Sequence, residues 1–175
     1  EDWTVVEGSG TALITAQTAN SPINSLALTE GVVSVTSSPL DLTGASGLRL
    51  GVWIRRGSDS FSETTDTNEN FVIEYLGSSG TWQKLQTLFG NGTPGQIYTP
   101  SYALPAAAHA NFRVRVRMTG GSGTGYDFWH VDSVCLTGEV PVAEWRFEEE
   151  SWDGTSGEVT DERSDGFDGT AIGDA

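Results

Sequence analysis

The stretch "NFRVRVRMTG", residues 111–120, restricts the fold more than any other part of the chain. Phe112, Val114, Val116 and Met118 alternate with Arg113, Arg115 and Arg117. A helix would scatter arginines spaced two apart around its axis. A strand, whose side chains alternate with a period of two, gathers them on one face and the apolar residues on the other. The stretch is therefore a half-buried β-strand.

Similar alternation recurs along the chain. In "LRLGVWIRRG", Leu48, Leu50, Val52 and Ile54 point one way and Arg49, Trp53 and Arg55 the other. "TALITAQT" reads as a short strand, "SLALTEGVVSVTS" as two strands hinged near Glu30 and Gly31, and "FVIEYLGSSGTWQKLQTLF" as strand, Gly/Ser turn, strand. "ALPAAAHANF" holds at most one helical turn beside its proline. Eight or so strands separated by Gly, Ser and Pro turns make an all-β protein, an antiparallel two-sheet sandwich. Long connections such as "RRGSDSFSETTDTNEN" belong at its ends or rims, where binding loops sit.

Composition shifts after Gly138. Residues 139–175 hold 12 acidic against 2 basic residues, a net −10, which leaves −5 of the chain's −15 for residues 1–138. This tail offers "VAEWRFEEES" as a strand but is too short to build a core alone. It is either the opening of a second domain or an extra strand docked on the first.

Charge narrows the partners. Nucleic acid is a poor fit for an excess of 24 acidic over 9 basic residues, because backbone binding needs a dense positive surface. Membrane insertion is not expected, since the apolar runs fall far short of the roughly 18 residues a span requires. No signal-peptide pattern opens the sequence, so it reads as cytoplasmic or already processed. A single cysteine, Cys135, rules out an internal disulfide framework.

Catalytic readings are weak. "TGGSGTG" around Ser122 lacks the strand-to-helix setting of a nucleophile elbow and reads as a flexible hairpin loop. Cys135 lies between Val134 and Leu136 in a strand, a setting in which cysteines are usually inert. Paired carboxylates for glycoside hydrolysis arise by chance in so acidic a chain.

Calcium fits better, since it takes carboxylate, amide and carbonyl oxygens from loops. "ETTDTNEN" supplies Glu63, Asp66, Asn68, Glu69 and Asn70, but Phe71 and Gly77 stand where an EF-hand needs Gly and Glu. Alone it reads as a solvated acidic loop. Asp132 interrupts the strand "WHVDSVCL", where an unpaired buried carboxylate would be costly. A cation, an arginine or a bulge would resolve that cost. Glu1 and Asp2 are expected to approach the same edge from the first strand, giving a structural calcium near Asp132. "DERSDGFDGT", with Asp161, Asp165 and Asp168, reads as turns before it reads as a second cation site.

Arg113, Arg115 and Arg117 share a face, and Arg49 and Arg55 on another strand are candidates to lie nearby. With Trp53 among them, the patch would combine a stacking surface with hydrogen-bond donors, as a sugar site does. The plainer reading is an exposed sheet face whose arginine stems cover apolar area.

"GVWIRRGSDSFSETTDTNENFVIEYLGSSGTWQKLQTL" and "ANFRVRVRMTGGSGTGYDFWHVDSVCL" resemble the MAM-like jelly-roll domain of bacterial surface proteins, in particular the MshQ-type protein associated with the mannose-sensitive haemagglutinin pilus. Such domains end on a strand reading roughly Y-W-x-I-D-D-V. Phe128, Trp129, Val131, Asp132 and Val134 match it, and Ser133 replaces the second aspartate. The resemblance covers most of residues 1–138 and implies a jelly-roll β-sandwich. It also implies a structural calcium held by Glu1 or Asp2 with Asp132, and further by Asp66 and Glu69. The tail, "AEWRFEEESWDGTSGEVTDERSDGFDGTAIGDA", resembles the opening of a laminin-G-like, concanavalin-type sandwich. Both resemblances imply an extracellular or bacterial outer-surface location in a larger parent protein.

The sequence therefore points to a non-catalytic adhesion or recognition module that is stabilised by calcium and contacts a glycan, a surface protein or neighbouring domains of its parent. The alternatives are a structural spacer and, third, an accessory domain of a secreted hydrolase.

Overall fold

The computed structural model describes residues 2–138, 141–145 and 170–172. Two sheets face each other. One holds β1 (Asp2–Glu7), β4 (Val33–Ser37), β6 (Phe71–Leu76), β7 (Trp82–Leu88), β10 (Val114–Met118) and β13 (Thr170–Ile172), in the spatial order β13-β1-β4-β10-β6-β7. The other holds β2 (Thr11–Thr15), β3 (Ser25–Thr29), β5 (Arg49–Arg56), β8 (Ile97–Tyr98), β9 (Ser101–Ala103), β11 (Trp129–Thr137) and β12 (Pro141–Trp145). Its order is β2-β3-β11-β5-β8, with β9 also on β5 and β12 also on β11. β13 runs parallel to β1. The other pairings are antiparallel, so the chain forms the expected two-sheet jelly-roll sandwich.

Alternation builds the core. On β10, Val114, Val116 and Met118 are buried, while Arg115 and Arg117 face outward. On β6, Phe71, Ile73 and Tyr75 point inward, and Phe112 stacks on Tyr75 with ring centres 6.1 Å apart. Trp129 of β11 anchors the centre: Phe71 lies 5.6 Å away, and its indole N–H donates to the Glu69 carbonyl at 2.9 Å.

One inward position belongs to a cation. Arg56, at the end of β5, is fully buried with its guanidinium 4.8 Å over the Trp129 ring. It donates to the carbonyls of Phe89 and Thr93, and burial lowers its pKa. The loop after β7 is thereby tied to the core.

β11 changes parity along its length. Trp129 and Val131 point inward, then Val134 and Leu136 do. The register against β5 shifts between Asp132 and Cys135, and Ser133 takes a φ of 50°. That extra residue is a β-bulge, which lets both halves of the strand feed the core.

Residues 104–111, read as one helical turn at most, form turns. Beyond Gly138, β12 pairs with β11 and β13 with β1, extending both sheets. The remainder of the acidic tail, including the turns around Asp161, Asp165 and Asp168, lies outside the described residues.

Candidate functional site

The outward face of the β11 sheet is largely covered. Residues 16–24, between β2 and β3, fold over it and meet Asp132, which is fully buried. The Asp132 carboxylate accepts the backbone N–H of Asn20 at 2.7 Å, that of Ser21 at 2.8 Å and the Ser21 hydroxyl at 3.0 Å. The Ser133 N–H adds a fourth donor at 2.5 Å. Loop donors and the bulge together resolve the cost of burying this acid.

His130 stands two residues away on the same face, fully buried. Its Nε2 lies 2.8 Å from the Ser62 hydroxyl, its Nδ1 3.4 Å from that of Ser25, and its ring stacks on Phe128. Burial, with a smaller push from the Arg55 charge, lowers its pKa to about 3. The imidazole is neutral and structural at physiological pH.

The basic residues expected in one patch divide between two faces. Arg49, Trp53 and Arg55 are on β5, whereas Arg115 and Arg117 are on β10 of the opposite sheet, with Arg113 just before them. Arg55 is a tie between loops: it donates to Thr18 Oγ1 at 2.7 Å and to the Gly95 carbonyl at 3.2 Å, and lies 4.3 Å over Phe61. Arg115 and Arg117 both bind Glu74, at 2.7 and 3.1 Å. Burial alone would raise the Glu74 carboxyl, but hydrogen bonds and charge from Arg117 and Arg115 outweigh it and lower its pKa.

The acidic loop residues also separate. Glu69 is buried and accepts the Asp66 N–H and the Ser122 hydroxyl, the latter at 2.9 Å. Asp127, itself buried, lies within hydrogen-bonding reach of the carboxyls of Glu69 and Glu63. Burial first, then the Asp127 carboxylate, pushes both glutamates above their ordinary pKa. Asp132 takes its donors from Asn20, Ser21 and Ser133, so Asp66 and Glu69 do not join it. Glu1 and the side chain of Asp2 lie outside the described residues. No group of three or more metal-ligating side chains is assembled among the described residues.

Among the described residues the covered face carries an opening. A groove of about 290 Å³ runs between Asn20 and Ser133 on one side and Thr99, Pro100 and Ser101 on the other, over Gly51 and Trp53. Its walls carry amide and hydroxyl groups beside an indole, and none of these side chains titrates near neutral pH. Arg49 fixes one wall by donating to the Ser101 carbonyl at 2.8 Å and its hydroxyl at 3.0 Å. Asn20 donates to Ser133 Oγ at 3.0 Å. Trp53 is 5% exposed, so only a small part of its side chain is open to the groove.

Gly51 keeps the groove open. Its backbone is outside the left-handed region, and among the described residues a Cβ there would meet only the Cys135 carbonyl, at 3.8 Å. Among the described residues neither backbone nor packing requires glycine; a mid-strand glycine marks a bulge or a close approach, and Gly51 stands opposite Cys135 at the end of the β11 bulge. Of the residues around the groove, the sequence points to Trp53 and Arg49 as ligand contacts and to Ser133 only as a departure from the closing-strand pattern, and it gives no sign of Asn20 or Ser101. The interruption of "LRLGVW" by glycine was the available signal. A larger hollow, about 350 Å³ between Ala45 and Pro105, lacks any aromatic side chain.

No protein-family model matches the chain, and no curated protein matches it. Solved structures do. TmCBM61 in complex with beta-1,4-galactotriose superposes with a TM-score of 0.54 at 11% identity, over 78% of this chain and 88% of that one. The likeness is one of fold. The enzymatically active domain of bacteriophage CBA120 tailspike protein 4 (TM-score 0.50, 14% identity) matches over 81% of this chain and 20% of that one. The arabinose-bound MgGH51 α-L-arabinofuranosidase (TM-score 0.50, 12% identity) matches over 78% and 23%. In both, the sandwich is one part of a larger protein.

Proposed function

We propose that the chain is a non-catalytic carbohydrate-recognition module that seats a neutral oligosaccharide in the groove over Gly51. The groove carries this reading: an unforced glycine opens a strand beside a tryptophan, between walls of hydroxyl and amide groups. Sugars are bound through that combination of apolar surface and directed hydrogen bonds. The shared fold with the galactotriose-bound TmCBM61 supports it. Placement on a bacterial surface protein, next to a laminin-G-like domain and in a pilus-associated setting, rests on the resemblance of the sequence.

Calcium enters this reading as a structural ion. The neighbouring buried carboxyls of Glu69 and Asp127 suit an oxygen-seeking cation better than Asp132, which among the described residues is bonded to loop N–H and O–H groups with no second carboxylate beside it. Thermal unfolding with calcium and with chelator tests it, since an ion bound only by the folded form raises Tm. Identical curves would remove calcium from the account.

The test of recognition is calorimetric titration of the folded chain with β-1,4-galactotriose and a panel of neutral xylo- and arabino-oligosaccharides. Saturable heat with at least one sugar, weakened by Asn20→Ala with Ser101→Ala, is expected. Flat titrations across the panel would leave a spacer domain as the better description.

A further inference from the structure

Around β10, the described outward residues carry a charge opposite to the chain's net charge. Arg113, Arg115, Arg117 and Lys84 are four of nine basic residues in a chain of net −15. Cross-strand register sets Arg115 opposite Glu74 and Glu74 opposite Lys84, and Arg113 lies outward between the buried Phe112 and Val114. On β4 the outward neighbours are Ser34 and Thr36, which are neutral. Glu74 is thus the one acid among these facing residues, set against four cations.

Glu74 also arranges the face. It accepts Arg115 Nε at 2.8 Å and Arg117 Nε at 3.1 Å, fixing both guanidinium groups side by side. Arg115 is held from its other side, 4.0 Å over the Trp82 ring. Each guanidinium has five N–H donors, so both retain donors directed away from Glu74. Arg113 and Lys84 take no part in that network: among the described residues, the ion pairs of this face are those of Glu74 with Arg115 and Arg117.

We propose that this face is a second binding surface, for an acidic polysaccharide that bears uronate carboxylates. Arginines two apart on a strand repeat every ~6.8 Å, so β10 presents a row of cations along which a linear polyanion can lie. Guanidinium groups bind carboxylates bidentately, and their fixed positions reduce the ordering cost of binding. An extended acidic peptide would instead seek an open strand edge, and β10 is paired on both sides. Shielding of apolar surface accounts for Arg117, whose cross-strand partner Val72 faces outward yet is 3% exposed. It does not require the charge surplus of Arg113 and Lys84.

The test is affinity electrophoresis and titration of the full chain with polygalacturonate at low and high salt, with neutral galactan and polyglutamate as comparison polymers. Polygalacturonate binding that falls steeply with salt is expected. Lys84→Gln with Arg113→Gln, both outside the Glu74 network, should weaken it several-fold at an unchanged unfolding midpoint. Adding Arg117→Gln should bring the loss to roughly tenfold or more. Absence of retardation at low salt, equal binding by the variants, or polyglutamate binding as tight as polygalacturonate would each overturn the proposal.

Discussion

Ser21 grips Asp132 twice, donating its backbone N–H at 2.8 Å and its hydroxyl at 3.0 Å to a carboxylate with no solvent exposure. The contact joins residues 111 apart in sequence and holds the covering loop on the sheet. Replacing the acid orphans several buried donors at once. Asp132→Ala should cost about 2–4 kcal/mol, read as a lower urea midpoint. Amide exchange in residues 18–24 should accelerate more than in β10. A loss below about 0.5 kcal/mol would mean that water replaces the carboxylate without penalty.

His130 makes stability depend on pH in a defined direction. Its folded pKa of about 3 lies below the ordinary 6.5, so the unfolded chain takes up a proton first as pH falls. Stability from this residue is complete above pH 6.5 and declines as pH drops from there toward 3, at up to about 1.4 kcal/mol per unit. The raised carboxyls of Glu63 and Glu69 act oppositely, favouring the folded form on acidification. Comparison with His130→Gln isolates the histidine: between pH 7 and 5 the wild type should lose about 2 kcal/mol relative to the variant. Parallel urea midpoints at those pH values would refute the assignment.

Arg56 and Gly92 are coupled by space. A Cβ on Gly92 would overlap Arg56 Nη1, and the buried guanidinium is held between Trp129 and two carbonyls. Gly92→Ala should therefore destabilise by about 1–3 kcal/mol. In an Arg56→Met background the same change should cost far less, since the shorter side chain vacates that position. A double-mutant cycle measures the difference, and simple additivity would show the contact to be unimportant.

How far the sequence could be read follows from the range of each interaction. The strand at Arg113, Arg115 and Arg117 was legible because alternation depends only on neighbours. Sheet membership was not: β5 and β10 alternate equally well, and only long-range pairing places Trp53 and Arg115 on opposite faces. Asp132 was recognisable as an acid in an awkward place, but its solution lay in Asn20 and Ser21. The bulge had a local sign, two polar residues between apolar ones in "VDSV", where the inward parity changes. β8 and β9 were hidden by their brevity and by Pro100 between them.

Gly51 separates recognition from stability more sharply than any wall residue. A side chain at this position projects into the groove, and among the described residues the nearest atom to its Cβ is the Cys135 carbonyl at 3.8 Å. Its backbone makes no demand for glycine, and β-branched residues favour strands. Gly51→Val should therefore keep the stability or raise it by up to about 1 kcal/mol, read as an equal or higher unfolding midpoint. The branched side chain would occupy the space between Trp53 and Pro100, so binding of a neutral oligosaccharide should fall to the limit of detection. Arg117→Gln, on the opposite sheet, should leave that binding intact. Gly51→Val that binds as tightly as the native chain would place the sugar elsewhere, because the groove cannot hold both the sugar and the valine.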